Sequence, residues 1–548
     1  MYVLVFRYLC RIVIKERKMK RIATDIFTFE NLRKNDCLYV DKTKFVWNIA
    51  QSDGSFFLSR PRRFGKSLLL STFKAFFQGK KELFRGLEIE RLAPEVWETY
   101  PIIHLDLASG SSYEGKDEIA DKLKDQIRYS AQSLGVEIIE ASPVRMLSSL
   151  INNTFNKYQK QLVILVDEYD KPILDSMNKP YVNEVLEMMA DFYQELKSAN
   201  EKERFVFITG VTKFAHVSLF SGSNNPTDLT RNEAFATMLG YTEDELRSNF
   251  SEYIDNLAMK MEVSRDELLA NMKLYYNGVR FVSRCESVYN PVSVGKLFVN
   301  QRFDNYWIAT GTPHFLLNMV KDNPFKLQDL TREWVFDEND DKYDLNELDL
   351  RSVAFQSGYL SIAEWKKVSF TQWKIRYDFP NKEIRDCWYK NVLTIKPHTY
   401  GLLMPLIVSL PEDLDNKDAN AFMEKVCNFF SGIPYENAGE ITEGYFRNHL
   451  RTLFCLFGIP NQCEIMEASQ RVDIVAQTAK MALVFELKML SANEANPDEK
   501  KIQLLEEALE QLKEKGYAEK YRNESEEVHS IGIVFDEKTK KVACWKIL

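Results

Sequence analysis

Between Ile22 and about Thr237, short continuous apolar runs at 56–59, 102–107, 162–166 and 205–209 alternate with longer stretches of helical periodicity. A strand that is apolar at every position is buried on both faces, so this alternation predicts a parallel sheet covered by helices on either side. From Thr242 to about Val320 the pattern is mostly helical, and Thr242 with Glu245 fits a capping box. The acidic run WVFDENDDKYDLNELDL at 334–350 reads as a solvated face or linker. Short β-like runs with turn residues at 352–397, Phe379-Pro380-Asn381 among them, predict a small β-containing or winged-helix module. After Pro411-Glu412-Asp413 a helical region leads to Gly458, and a further α/β unit follows to Leu548. The expected segments are therefore 1–18, 19–240, 241–330, 331–410 and 411–548.

Composition changes this picture little. The 548 residues suit several cores rather than one, and 45% hydrophobic with 28% charged residues is an ordinary globular balance. A formal net charge of −8 argues against coating nucleic acid by bulk charge, while a local basic groove stays open. The eight cysteines include no C-x-x-C and no cysteine–histidine cluster at zinc spacing, so a reducing cytoplasm is expected. The start, MYVLVFRYLCRIVIKERKMK, is interrupted by Arg7 and Arg11, too short and too charged to span a bilayer. It reads as an extension upstream of a folded protein beginning near Met19. No membrane partner is expected; self-association into a homo-oligomer is left open.

The chemistry concentrates in two places. FFLSRPRRFGKSLLL, residues 56–70, is a strand, an arginine-rich turn, then Gly65-Lys66-Ser67 opening a helix. That is the second half of a phosphate-binding loop, in which backbone N–H groups and a helix N-terminus surround phosphate. Arg60 stands where the first glycine of the pattern belongs, and a bare GKS also opens ordinary helices. The run LVILVDEY, 162–169, ends in Asp167-Glu168, where α/β sheets place ligands and where an acid would reach Mg²⁺ beside the phosphates. RFVFITGVTKF, 204–214, brings Thr209 to the tip of another strand, either as a γ-phosphate sensor or as a locally satisfied turn residue.

Near the C-terminus, QRVDIVAQTAKMALVFELKML, 470–490, predicts two strands joined by a tight turn at 478–480. Alternation along the second strand turns Glu486 and Lys488 to one side, and Asp473 on the first can converge on them. Two carboxylates and a lysine suit a Mg²⁺-dependent phosphodiesterase: acids for a hard cation, lysine for water or phosphate. The bland alternative is an edge strand with a surface Glu/Lys pair. Glu443, opening the helix EGYFRNHLRTLFCLF, is a further candidate metal contact. The stretch EEALEQLKEKGYAEKY, 506–521, predicts an amphipathic helix offering Gln511 and several lysines to a phosphate backbone.

YVDKT, SRPRRFGKS, VDEYDKP, TGVTKF, YNP, YWIATGTP, GYL, FPN and QLKEKGYAEKY together resemble the bacterial AAA-ATPase-like proteins with a C-terminal PD-(D/E)XK nuclease-superfamily domain. The resemblance implies an α/β fold: an N-terminal P-loop NTPase parallel sheet, helical and small β-containing middle modules, and a restriction-endonuclease-like C-terminal α/β domain. Within it, RPRRFGKS is the family's form of the loop, so Arg62, Arg63, Phe64, Gly65, Lys66 and Ser67 would bind ATP. Lys66 would meet the β- and γ-phosphates, Ser67 and Asp167 the Mg²⁺, and Glu168 would activate water, with Thr209 on the sensor strand. Asp473, Glu486 and Lys488 match the nuclease pattern, and Gln511 and Tyr517 its trailing helix, which would meet nucleic acid, DNA ahead of RNA.

Overall fold

The computed structural model describes residues 19–25, 28–93, 95, 97–108, 115–177, 179–198, 200–213, 226–307, 314–320, 327, 330–331, 333–337, 349–394, 406–432, 442–456, 459, 461–467 and 470–548. The expected extension at 1–18 lies outside them. The chain divides into two compact units, one of Met1–Met319 with Leu327–Ile384, the other of Val320–Lys326 with Arg385–Leu548.

The first unit is built on a parallel sheet: β1 (Gly54–Ser59), β2 (Ile102–Asp106), β3 (Leu162–Asp167), β4 (Glu203–Gly210) and the two-residue β5 (Thr227–Asp228), in the order β2-β3-β4-β1-β5. Successive side chains serve opposite faces. Phe56 and Leu58 join Val163, Leu165, Phe205 and Phe207 against the helix α1 (Lys66–Phe77), while Ile103, Leu105, Ile164, Val166 and Ile208 meet α2 (Lys116–Leu134), α3 (Pro143–Tyr158) and α4 (Val182–Ser198). Helices on both faces explain why these strands carry no polar alternation. The capping box closes as expected: Thr242 Oγ1 accepts from Glu245 N at 3.2 Å and Glu245 Oε2 from Thr242 N at 2.9 Å.

A three-stranded antiparallel sheet of β6 (Trp334–Phe336), β7 (Ser361–Lys367) and β8 (Trp373–Asp378) belongs to the same unit. The linker reading of 334–350 therefore fails at its start, where β6 pairs with β8 and Asp337 accepts from Ser283 Oγ at 2.8 Å and pairs with Arg231. Alternating Trp-Val-Phe ahead of an acidic run is a strand whose partner fixes it; residues 338–348 lie outside the described residues.

In the second unit a mixed sheet runs β13-β12-β11-β10-β9, formed by β9 (Asn461–Glu467), β10 (Gln470–Gln477), β11 (Met481–Leu490), β12 (Glu527–Asp536) and β13 (Lys541–Ile547). Only β11 and β12 are parallel, joined through helix α6 (Pro497–Lys515), while α5 (Glu443–Leu456) packs Phe446, Leu450 and Leu453 on the other face. The predicted helix over 506–521 is corrected on both sides. It begins at Pro497, a favoured first helical residue, and ends at Lys515 because Gly516 turns left-handed, with φ 57°; Tyr517–Asn523 then form a 3-10 turn. Helix Leu406–Asp415 also begins ahead of the expected break and carries Pro411 inside, with Leu410 and Leu414 fully buried.

Candidate active sites

The strand order decides the first site. β4 lies between β1 and β3, so the tips of three parallel strands bring the loop, Thr209 and Asp167-Glu168 to one edge. Gly65, with φ 98°, turns the loop into α1, and Lys66 is the first residue of that helix. The Lys66 ammonium is buried: it donates to the carbonyls of Arg60 (3.1 Å) and Pro61 (3.3 Å) and pairs with Glu168 Oε1 at 3.2 Å. Ser67 beside it is exposed, its hydroxyl without a hydrogen-bond partner among the described residues. Asp167, buried at the end of β3, accepts from Thr209 Oγ1 at 2.7 Å and from Glu168 N at 3.0 Å.

Glu168 holds a left-handed backbone, φ 51°, and so does Arg63 at 68°. Non-glycine residues there are strained, and such strain gathers where side-chain direction matters. Loop and strand tips are locked from behind. Phe64 packs edge-on to Phe281 at 5.7 Å, and Trp307 Nε1 donates to the carbonyl of Arg62 at 3.0 Å. Arg63 is partly buried, which pulls its pKa down against the opposing influence of Glu383.

Arg60 answers for the missing glycine. Its guanidinium is buried, donating to the carbonyls of Ser59 (2.9 Å), Thr230 (2.8 Å) and Phe235 (3.3 Å), and lies 4.0 Å from the centroid of Phe281. Burial brings its pKa down to about 9. This side chain is a strut beneath the loop. Asp170, to which sequence reasoning attached no role, is another: fully buried, it accepts from Val211 N, Thr212 N (2.8 Å) and Thr212 Oγ1 (2.6 Å), fastening the β3 tip to the β4 tip. Burial, then the charge of Glu168, pushes its carboxyl up to about 6. The quoted VDEYDKP contained this residue; its role needed the β3–β4 pairing.

The second site sits on β10 and β11, joined at 478–480 by the expected tight turn, where Thr478 N donates to Met481 O at 2.9 Å. Strand pairing runs only to Ile474 opposite Phe485. One residue further, Asp473 replaces backbone with side chain: its Oδ2 accepts from Leu487 N at 2.8 Å. That inserts a carboxylate beside Glu486, both acids being buried. Lys488 Nζ lies 3.3 Å from Glu486 Oε1 and donates to Gln511 Oε1 of α6 at 2.8 Å. Asp473, Glu486, Lys488 and Gln511 thus converge.

The two remaining candidates lie at the start of α5 and just after α6. Glu443 opens α5 as predicted, but no group of three or more His, Cys, Asp or Glu side chains gathers at metal-holding distance among the described residues. Tyr517 lies in the 3-10 turn after Gly516, and its side chain falls outside the described residues. The residue of α5 that does reach the site is Arg447, one turn past Glu443, with Nη1 at 3.2 Å from Asp473 Oδ1. Its i, i+4 spacing from Glu443 was the available signal.

A parallel sheet in the first unit and a mixed sheet in the second each carry one of these sites, and comparison with known proteins finds a domain model over each. Residues 23–220 match the family model described as "Predicted AAA-ATPase" and residues 441–545 that of the "PD-(D/E)XK nuclease superfamily". A chain from Azotobacter chroococcum mcd 1, described as "Uncharacterized protein in vnfD 5'region", is 29% identical over 532 residues, covering 95% of this chain and 98% of its own. The solved Aeropyrum pernix ORC2 protein, in ADPNP–ADP complexes, aligns with 67% of this chain and 92% of its own at 12% identity and a TM-score of 0.28. No helix among the described residues is long and apolar enough to cross a membrane.

Proposed function

We propose that the chain is a cytoplasmic ATPase whose nucleotide state governs a metal-dependent nuclease acting on nucleic acid, with DNA the first candidate. The observation that carries the ATPase reading is the Lys66–Glu168 ion pair at the mouth of the loop. Lys66 satisfies its ammonium with two loop carbonyls and Glu168. Entry of β- and γ-phosphates gives it stronger, charge-matched partners. The exchange frees Glu168 Oε1 to take the proton of an attacking water, while Thr209 keeps Asp167 in place through the 2.7 Å bond. Ser67 hydroxyl and Asp167 carboxylate are oxygen donors of the kind Mg²⁺ prefers; bound there it would supply charge neutralisation at the phosphates. Arg62, Arg63, Phe64 and Gly65 shape the loop. Lys66→Ala is expected to cut ATP turnover at least a hundredfold in a phosphate-release assay, and Glu168→Gln to stop turnover while ATP still binds. Turnover unchanged in Lys66→Ala would remove this loop from the reaction.

In the C-terminal domain, Asp473 and Glu486 offer carboxylate oxygens that fit a hard cation, and Mg²⁺ there would supply charge stabilisation at the scissile phosphate. Lys488, steadied by Gln511, orients the water or the phosphate. Gln511 and Tyr517 are the residues expected to meet the strand, and Glu443 is kept as an outer contact of the cation. A second reading has its own support: with Arg447 on one oxygen of Asp473 and Leu487 N on the other, the carboxylate is already engaged. An ATP-driven switch carrying a silent nuclease fold would look the same, and would bind nucleotide without cleaving under any metal.

A further inference from the structure

A cavity of about 510 Å³ opens beside the edge strand β2, between the end of α1, the last turns of α2 and the turn entering β3. Lys66 and Lys74 lie on one helix, and eight residues at 1.5 Å each separate their backbones by ~12 Å along its axis. The cavity is thus distinct from the phosphate loop. Its size falls in the range of small-molecule sites, roughly 300–1,000 Å³.

Its charge is one-sided. Lys74 and Lys160 line it, and no Asp or Glu does, in a chain whose acids outnumber its bases by 80 to 72. Neither lysine has a carboxylate partner among the described residues. Lys160 Nζ instead sits 4.5 Å from the ring centroid of Tyr100. Glu30, the carboxylate that acts on Lys74 from a distance, is already held by Lys34 (2.7 Å) and Lys80 (2.6 Å). Burial, and then Lys80, pull the Lys74 pKa down, the sign of a cation lacking its counter-charge.

The polar groups are likewise unspent. His104 lines the same cavity from β2, and its Nε2, closed to water, has no hydrogen-bond partner among the described residues. Burial drops this imidazole to about 4, so it is neutral at pH 7 and the site's charge rests on the two lysines. Gln78, at the end of α1, leaves its carboxamide without a partner among the described residues.

We propose that this cavity binds a small phosphate monoester, seated between Lys74 and Lys160 with Gln78 as a hydrogen-bonding neighbour. Two cations without counter-charge match a group carrying about −1.5 to −2 at pH 7, and a monocarboxylate would leave one of them unmatched.

Adenosine 5'-monophosphate and adenosine serve as probes, titrated calorimetrically into the full chain, wild type and Lys66→Ala, and into Lys74→Gln and Lys160→Gln. The expected result is equal affinity for the monophosphate in wild type and Lys66→Ala, weakening of tenfold or more in each cavity variant, and no binding of adenosine. Retained ATP turnover in the cavity variants verifies their folding, and Lys160, in a turn, gives a second variant independent of α1. Loss of monophosphate binding in Lys66→Ala with binding intact in the cavity variants would overturn the assignment, as would the absence of binding in wild type.

Discussion

Arg60 shows how a residue that breaks a motif can support it. Its guanidinium satisfies carbonyls at Ser59, Thr230 and Phe235 from a fully buried position, so truncation strands acceptors in the core. Arg60→Ala is expected to destabilise the N-terminal unit by about 3 kcal/mol in urea unfolding. Arg60→Gly, which restores the loop pattern in sequence, should be no better, because the strut is lost either way. Glu203 makes the opposite point. It opens β4 largely buried, its Oε1 without a partner among the described residues, and burial pushes its carboxyl up to about 8. The folded state therefore holds a proton that the unfolded chain releases near pH 4.5. Stability from this group is fully present below about 4.5 and is lost as the pH rises to about 8. Glu203→Gln should flatten that slope, leaving the variant more stable than wild type at pH 8 by ~4 kcal/mol and little changed at pH 4.5, at ~1.4 kcal/mol per unit. An unchanged slope would show that Glu203 ionises without cost.

Among elements, the crossing of α6 over β12 sets the nuclease-like site. A Cβ on Gly532 would meet Leu509 at 3.0 Å and Leu505 at 3.3 Å, and Gly532 pairs with Glu486 across the parallel ladder. Gly532→Val should lift α6 and part Gln511 from Lys488. Nucleic-acid cleavage is then expected to fall at least tenfold with ATP turnover unchanged; unaffected cleavage would place Gln511 outside the reaction. The same scale shows what was legible in sequence. β1 to β4 were readable to within two residues because strands buried on both faces are apolar throughout. The two-residue β5 left no periodicity to read. β6 was masked by the acidic run that follows it, and Arg447 by its ordinary place on an amphipathic helix. Lys66, Asp167 and Glu168, and likewise Asp473, Glu486 and Lys488, sit at strand ends or alternate positions, so backbone geometry alone predicts their convergence. Glu443 completes no three-acid cluster among the described residues, because a helix start specifies direction but not reach.

On the scale of the whole molecule, two units carry two separate constellations of acid and lysine, one at the tips of a parallel sheet and one within a mixed sheet. A protein that only switched partners would have use for the first and none for the second. The direct test is nicking of supercoiled plasmid with Mg²⁺ or Mn²⁺, with and without ATP, by wild type, Lys66→Ala and Lys488→Ala. The account predicts cleavage by wild type that depends on ATP, its loss in Lys488→Ala, and loss of the ATP dependence in Lys66→Ala. Cleavage that survives Lys488→Ala, or ignores nucleotide in wild type, would contradict it.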